Sequence, residues 1–73
     1  MKTLKAQTVY INDRPTEIEP GETLMEVVRA FGLAEKKGVA VAVNGSVVPR
    51  TGWLTRALAP ADRILVIQAT QGG

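Results

Sequence analysis

The sequence predicts an α+β fold, a small mixed sheet of four to five strands packed on one helix. Three observations carry that prediction. Only one segment, Leu24 to Phe31, has the apolar spacing of an amphipathic helix. Asn44-Gly45 stands between two β-rich runs and is the strongest short hairpin signal a sequence offers. A second pair of β-rich runs precedes the helix, separated by Asn12-Asp13-Arg14-Pro15.

Taken in order, Met1 to Ala6 shows no clear period. Thr8 to Ile11 is rich in β-branched and aromatic residues and reads as a strand. Asn12 and Asp13 tolerate positive φ, so Asn12 to Pro15 forms a turn. Thr16 to Glu19 resumes as a strand, with Pro15 at the turn or on a sheet edge because it has no N–H for the ladder. Pro20-Gly21-Glu22 breaks that strand. Thr23 and Glu26 have the spacing of a capping box, and Leu24, Val27, Val28 and Phe31 fall on one helical face. Gly32 suits the position just past the helix end.

Leu33 to Gly38 is a linker with Lys36 and Lys37 in it, a solvated surface. Val39 to Val43 alternates large and small apolar residues and belongs in the middle of a sheet, packed on the helix. Asn44-Gly45 turns it into Ser46 to Val48, and Pro49 ends that strand. Arg50 to Leu54 turns a corner, with Trp53 as a core plug beneath it. Thr55 to Leu58 reads as a short helical turn, and Ala59 to Arg63 as the turn before the last strand. That strand, Ile64 to Ile67, is a continuous apolar run, which predicts a central position buried on one face and partly covered on the other. A hairpin, a helix crossing one sheet face and then further strands is the element order of a β-grasp, ubiquitin-like fold, with the first and last strands as parallel neighbours.

Composition bounds the chemistry. The chain has 73 residues, one domain's worth, with neither cysteine nor histidine. The commonest general base, the commonest thiol nucleophile and the usual zinc ligands are therefore missing, which argues against a self-sufficient enzyme. Nine basic and seven acidic residues leave a net charge of only +2, and the basic residues are scattered. One Trp, one Tyr and one Phe do not make a stacking platform, so nucleic acid is not an expected partner. No apolar run approaches the roughly 20 residues of a membrane span, and Met1-Lys2-Thr3-Leu4 opens no signal peptide, so the expected compartment is the cytoplasm.

After Ile67 the chain has little left to bury. Residues 1–67 are expected to form the domain and residues 68–73, Gln68-Ala69-Thr70-Gln71-Gly72-Gly73, a flexible tail with a reach of at most roughly 20 Å. Glycine is the residue a chain needs where its backbone enters a narrow space. The unusual group is then the Gly73 carboxylate on a thin stem; the bland alternative is a frayed end.

Val39-Ala40-Val41-Ala42-Val43-Asn44-Gly45-Ser46-Val47-Val48-Pro49-Arg50, followed by Trp53 and a closing Gly72-Gly73, resembles the thiamine-biosynthesis sulfur carriers, the ThiS family. Val9-Tyr10-Ile11-Asn12, Pro20 to Leu24 and Asp62-Arg63-Ile64 match as well, so the resemblance runs from about Val9 to Gly73. Two features depart from the family pattern. Met1 to about Gln7 is longer than the usual start, and Ala61 stands where a Gly is common, asking for a slightly different turn.

The resemblance implies a carrier and co-substrate with no bound cofactor. A ubiquitin-activating-like adenylyltransferase of the ThiF type would dock on the sheet and consume ATP, the Gly73 carboxylate attacking the α-phosphate. A persulfide or thiol sulfur, supplied by a donor protein, would displace AMP and leave a thiocarboxylate on Gly73. Thiazole synthase of the ThiG type would then take the sulfur. Gly72 and Gln71 would lie in the partner's active site. On the sheet, Val47 and the outward residues among Ile64 to Ile67 are candidates for docking, each with ordinary core as its alternative. Arg50 is a candidate partner contact or a solvated charge, and Asp62 fixes its turn. Three alternatives stay open: a small subunit of molybdopterin synthase, a ubiquitin-like protein modifier, and a plain interaction module.

Overall fold

Residues 6–69 are described by the structure, a computed structural model. Five strands and one helix follow in the order β1 (Gln7–Ile11), β2 (Arg14–Ile18), α1 (Leu24–Ala30), β3 (Val39–Val43), β4 (Ser46–Val48) and β5 (Arg63–Gln68), with a 3₁₀ turn at Arg50–Gly52. The sheet order is β2-β1-β5-β3-β4. β1 and β5 are parallel, and every other pairing is antiparallel. This is the expected mixed sheet on one helix, with the last strand at its centre.

Both hairpins close with two residues. Asn12 and Asp13 have φ of 51° and 69°, and Asn44 and Gly45 have φ of 52° and 88°. Positive φ at both central residues is the type I′ geometry, whose twist matches that of the flanking strands. The first turn is therefore tighter than the four residues expected from sequence, and β2 begins at Arg14. Pro15 lies inside β2 on the open edge of the sheet, where its missing N–H leaves no ladder bond unmade.

The helix begins as its sequence predicts. Glu26 Oε1 accepts from the Thr23 N–H at 3.0 Å, satisfying one of the unpaired donors at the helix start. Its buried face is Leu24, Val27 and Val28. Phe31 departs from expectation: it is the C-cap and stays 48% exposed. The helix stops at Ala30, one residue before Phe31 could complete the inward face, and Gly32 turns the chain away at φ 76°.

A second departure lies after Trp53. The expected helical turn at Thr55 to Leu58 is absent, and the turn instead forms earlier, at Arg50–Gly52. The following segment is extended and pairs with the entry to α1. Ala57 bridges Thr23, Leu24 N–H donates to Arg56 O at 2.9 Å, and Leu58 N–H donates to Glu22 O at 2.9 Å. The helix entrance offers unpaired backbone groups, and these bonds outweigh a local helical preference.

The core lies between α1 and the inner sheet face. Trp53, 1% exposed, is its largest fully buried side chain, packed with Val9, Leu24, Val28, Val41 and Val43. Its indole N–H donates to Val48 O at 2.9 Å, so the ring is buried without an orphaned donor.

Candidate functional site

Two regions were marked from sequence: the outer sheet face and the tail. β5 alternates from Arg63 to Ile67. Ile64 and Val66 are buried, while Leu65 and Ile67 are 49% and 51% exposed. The apolar run thus predicted a more covered strand than exists. With one helix on one face, nothing among the described residues covers the other. Across the sheet Leu65 pairs with Ala42, and Ala42 with Val47; Ile67 pairs with Ala40. Cross-strand partners point to the same side. Leu65, Ile67 and Val47, the last 74% exposed, therefore belong to one apolar face floored by two alanines. Three large exposed aliphatic side chains in register are the feature expected of a binding surface.

The hairpin-tip end of this face is polar. Arg63 lies over the Tyr10 ring at 5.8 Å and pairs with Asp13 at 3.8 Å, both charges well exposed. A shallow notch of about 310 Å³ lies there, lined by Tyr10, Asn12, Ala42, Arg63 and Leu65 among others.

Two asparagines lock the hairpin tips onto the central strand. β1 peels away from β5 at Asn12. Tyr10 N–H donates to Asp62 O at 2.9 Å and Asn12 N–H to Ile64 O at 2.8 Å. Two residues further on, the Val66 peptide groups face a chain that has already turned. The Asn12 side chain replaces the missing backbone: Oδ1 accepts from Val66 N–H at 2.8 Å, and Nδ2 donates to Val66 O at 3.3 Å. On the other side Asn44 Oδ1 accepts from Arg63 N–H at 2.9 Å and Nδ2 donates to Asp62 Oδ1 at 2.9 Å. Asp62, buried, also accepts from the Ala59 N–H through Oδ2 at 2.8 Å. It fixes its turn, as expected. In that turn Asp62 N–H donates to Ala59 O at 3.1 Å and Ala61 adopts φ 69°, the left-handed conformation that favours glycine. Ala61 accepts that conformation in the turn where the resemblance had led one to expect a Gly.

Arg50 is exposed yet committed. Its Nη1 donates to Ala34 O, its Nη2 donates to Lys36 O at 2.7 Å, and the guanidinium carbon lies 4.6 Å from the Trp53 ring centre. The Val-Pro-Arg-x-x-Trp run thus has a structural account. Val48 accepts from the indole, Pro49 leads into the 3₁₀ turn, and Arg50 stacks on Trp53 while holding the α1–β3 loop. Sequence reasoning did not find this fork, because its acceptors are main-chain carbonyls 14 and 16 residues away.

At the far end of β5, Ala69 N–H donates to Gly38 O at 2.8 Å. The strand is one residue longer at each end than expected. Gln71, Gly72 and Gly73, the residues marked for the carrier chemistry, lie outside the described residues.

An open concavity of about 780 Å³ is lined by Glu17, Glu19, Glu22 and Glu26 among others. Two of these carboxylates are already used: Glu22 accepts from the Glu19 N–H and Glu26 from the Thr23 N–H, each at 3.0 Å. Among the described residues no group of three or more metal-ligating side chains comes together, and no helix is long and apolar enough to cross a membrane.

Comparison with known proteins agrees with this geometry. The model of the ThiS family matches residues 6–73. The sulfur carrier protein ThiS of Escherichia coli (strain K12) is 29% identical over 65 residues, covering 89% of this chain and 97% of that protein. The crystal structure of the thiamine biosynthesis protein ThiS from Geobacter metallireducens superposes with a TM-score of 0.75 at 20% identity, over 92% of this chain and all of that one. A solution structure of a thiamine biosynthesis protein from the same organism gives 0.71 at 22% identity, over 92% of this chain and 88% of that one. At these identities the two structures speak for the fold.

Proposed function

The chain belongs to the ThiS family, and from that premise we propose how it serves as a sulfur carrier for thiamine biosynthesis: its Gly73 carboxylate is activated by a partner enzyme and leaves as a thiocarboxylate. The observation that carries this reading is the extent of the family match, which runs through the Gly72-Gly73 end. The named relative in Escherichia coli supports the thiamine branch over the molybdopterin one.

The steps follow from the chemistry of a carboxylate, a poor electrophile. One Gly73 oxygen attacks the α-phosphorus of ATP and pyrophosphate leaves, giving an acyl-adenylate. A sulfur nucleophile attacks the activated carbonyl carbon and AMP leaves with the bonding electron pair. A hydrosulfide gives the thiocarboxylate directly; a persulfide donor gives an acyl disulfide, which a thiol reduces to it. The adenylyltransferase, of ThiF type, supplies the ATP site, so this chain acts as co-substrate. A ThiG-type thiazole synthase receives the sulfur. Gly72 and Gly73 fit such a role because a backbone without Cβ passes a narrow channel with the least obstruction.

Val47, Leu65 and Ile67 form the face on which the adenylyltransferase docks. They stand on β4 and β5, the two strands that flank β3, and β5 leads from that face towards the tail. Docking there holds the domain while the tail reaches the nucleotide. The test is incubation of the full chain with a cognate adenylyltransferase, ATP and a sulfur source, followed by intact mass. Exchange of one terminal oxygen for sulfur at Gly73 supports the reading. AMP formation with a protein conjugate and no sulfur exchange overturns it.

A further inference from the structure

We infer that Arg50 is a positioning residue for the tail: it braces the α1–β3 loop as a bracket that holds Ala69 and so sets where the reactive end leaves the domain. The inference rests on the carrier reading above and deepens it. Four observations build the bracket. Trp53 is fully buried and immobilised by its bond to Val48 O. The Arg50 guanidinium lies over its ring and donates through two nitrogens to Ala34 O and Lys36 O. The loop so held ends at Gly38, whose carbonyl accepts the Ala69 N–H at 2.8 Å. Gly38 has φ 76°, and a Cβ there would sit 3.3 Å from Ala69 O. The loop therefore runs close enough to the end of β5 that a side chain at position 38 would crowd Ala69.

Geometry gives the bracket its consequence. From Ala69 to Gly73 the chain can extend at most about 13 Å, at ~3.3 Å per residue. A carboxylate on so short a stem reaches a partner's nucleotide only if the stem starts in the right place and direction. The domain docks through its sheet face whether or not the stem is aligned. Loosening the bracket then lowers the fraction of docked complexes with Gly73 at the α-phosphorus, which reduces kcat and leaves KM nearly unchanged. Freeing one backbone residue that must be re-ordered corresponds to a loss of about tenfold. A contact between Arg50 and the partner would instead raise KM.

The test uses the full-length chain with Arg50→Lys, which keeps the charge but cannot reproduce the two-nitrogen fork on separate carbonyls. Amide exchange is measured on the free protein, and AMP formation or sulfur loading with the adenylyltransferase. The expected result is Ala69 exchange faster by about tenfold, with Val41 and Val66 unchanged, and kcat lower by about tenfold at constant KM. Ala69→Pro, which removes the donor without touching the loop, gives the same kinetic split and carries the test if Arg50→Lys does not fold. Unchanged Ala69 exchange, a uniform loss of protection, or a raised KM with normal kcat overturns the inference. If the wild-type chain is not adenylated at all, the carrier reading itself fails and the positioning role falls with it.

Discussion

Replacing Asn12 tests how the central strand is completed where its neighbour turns away. Asn12 does two jobs: it occupies φ 51°, and its amide pairs with both peptide groups of Val66. Asn12→Gly keeps the backbone conformation at no steric cost and removes the amide. Val66 N–H, bonded at 2.8 Å in the wild type, is then left without its partner. An orphaned buried donor costs about 1–3 kcal/mol. Asn12 is itself exposed, so water can enter the vacated site, and the expected loss is near the lower end, about 1–1.5 kcal/mol. Asn12→Ala removes the amide and also forces a Cβ into the left-handed region, adding roughly 1 kcal/mol. The domain should lose about 4–8 °C of Tm per kcal/mol. Trp53, the single tryptophan and fully buried, reports unfolding by fluorescence in urea or on heating. The order wild type, then Asn12→Gly, then Asn12→Ala is the expected one. An Asn12→Gly variant within ~0.3 kcal/mol of wild type would refute the claim that the side chain stands in for missing backbone.

Other outcomes follow from the same geometry. Ala61→Gly should raise stability by up to about 1 kcal/mol, since relief of the left-handed Ala exceeds the added freedom of Gly in the unfolded chain; thermal unfolding reads it. Trp53→Phe should cost about 2–3 kcal/mol, from lost ring volume and the lost indole bond to Val48 O, read by circular dichroism because the fluorophore is gone. Val47→Asp should leave Tm little changed, its side chain being 74% exposed on an edge strand, while raising the KM for the adenylyltransferase at least tenfold. Adding residues beyond Gly73 should abolish sulfur loading with no change in Tm.

Local signals carried most of the fold. Thr23 with Glu26, the Leu24-Val27-Val28 spacing and Asn44-Gly45 each act within a few residues, and each forms as read. The misreadings share a cause, which is that distant partners decide. Thr55 to Leu58 has a passable helical pattern, but the unpaired groups at the entrance to α1 draw Ala57 into a bridge. Leu65 and Ile67 look like core because a run of four aliphatic residues does not say whether a second layer exists. The Arg50 fork depends on main-chain carbonyls in another loop, which no sequence pattern encodes. For the candidate site, Val47 was legible as an outward residue; which residues of Ile64 to Ile67 face outward was not, nor was the notch beside Tyr10, since it needs both hairpin tips side by side. The Gly-Gly end reads as chemistry in the sequence, and its residues lie outside the described part of the chain.

The central claim is that Gly73 carries sulfur. Its most direct test is intact and fragment mass spectrometry of the untagged full chain after reaction with a cognate adenylyltransferase, ATP and a sulfur source. The account predicts exchange of one oxygen for one sulfur, localised to Gly73 and dependent on ATP. Release of AMP without sulfur on the chain, or sulfur localised at any other residue, would contradict it.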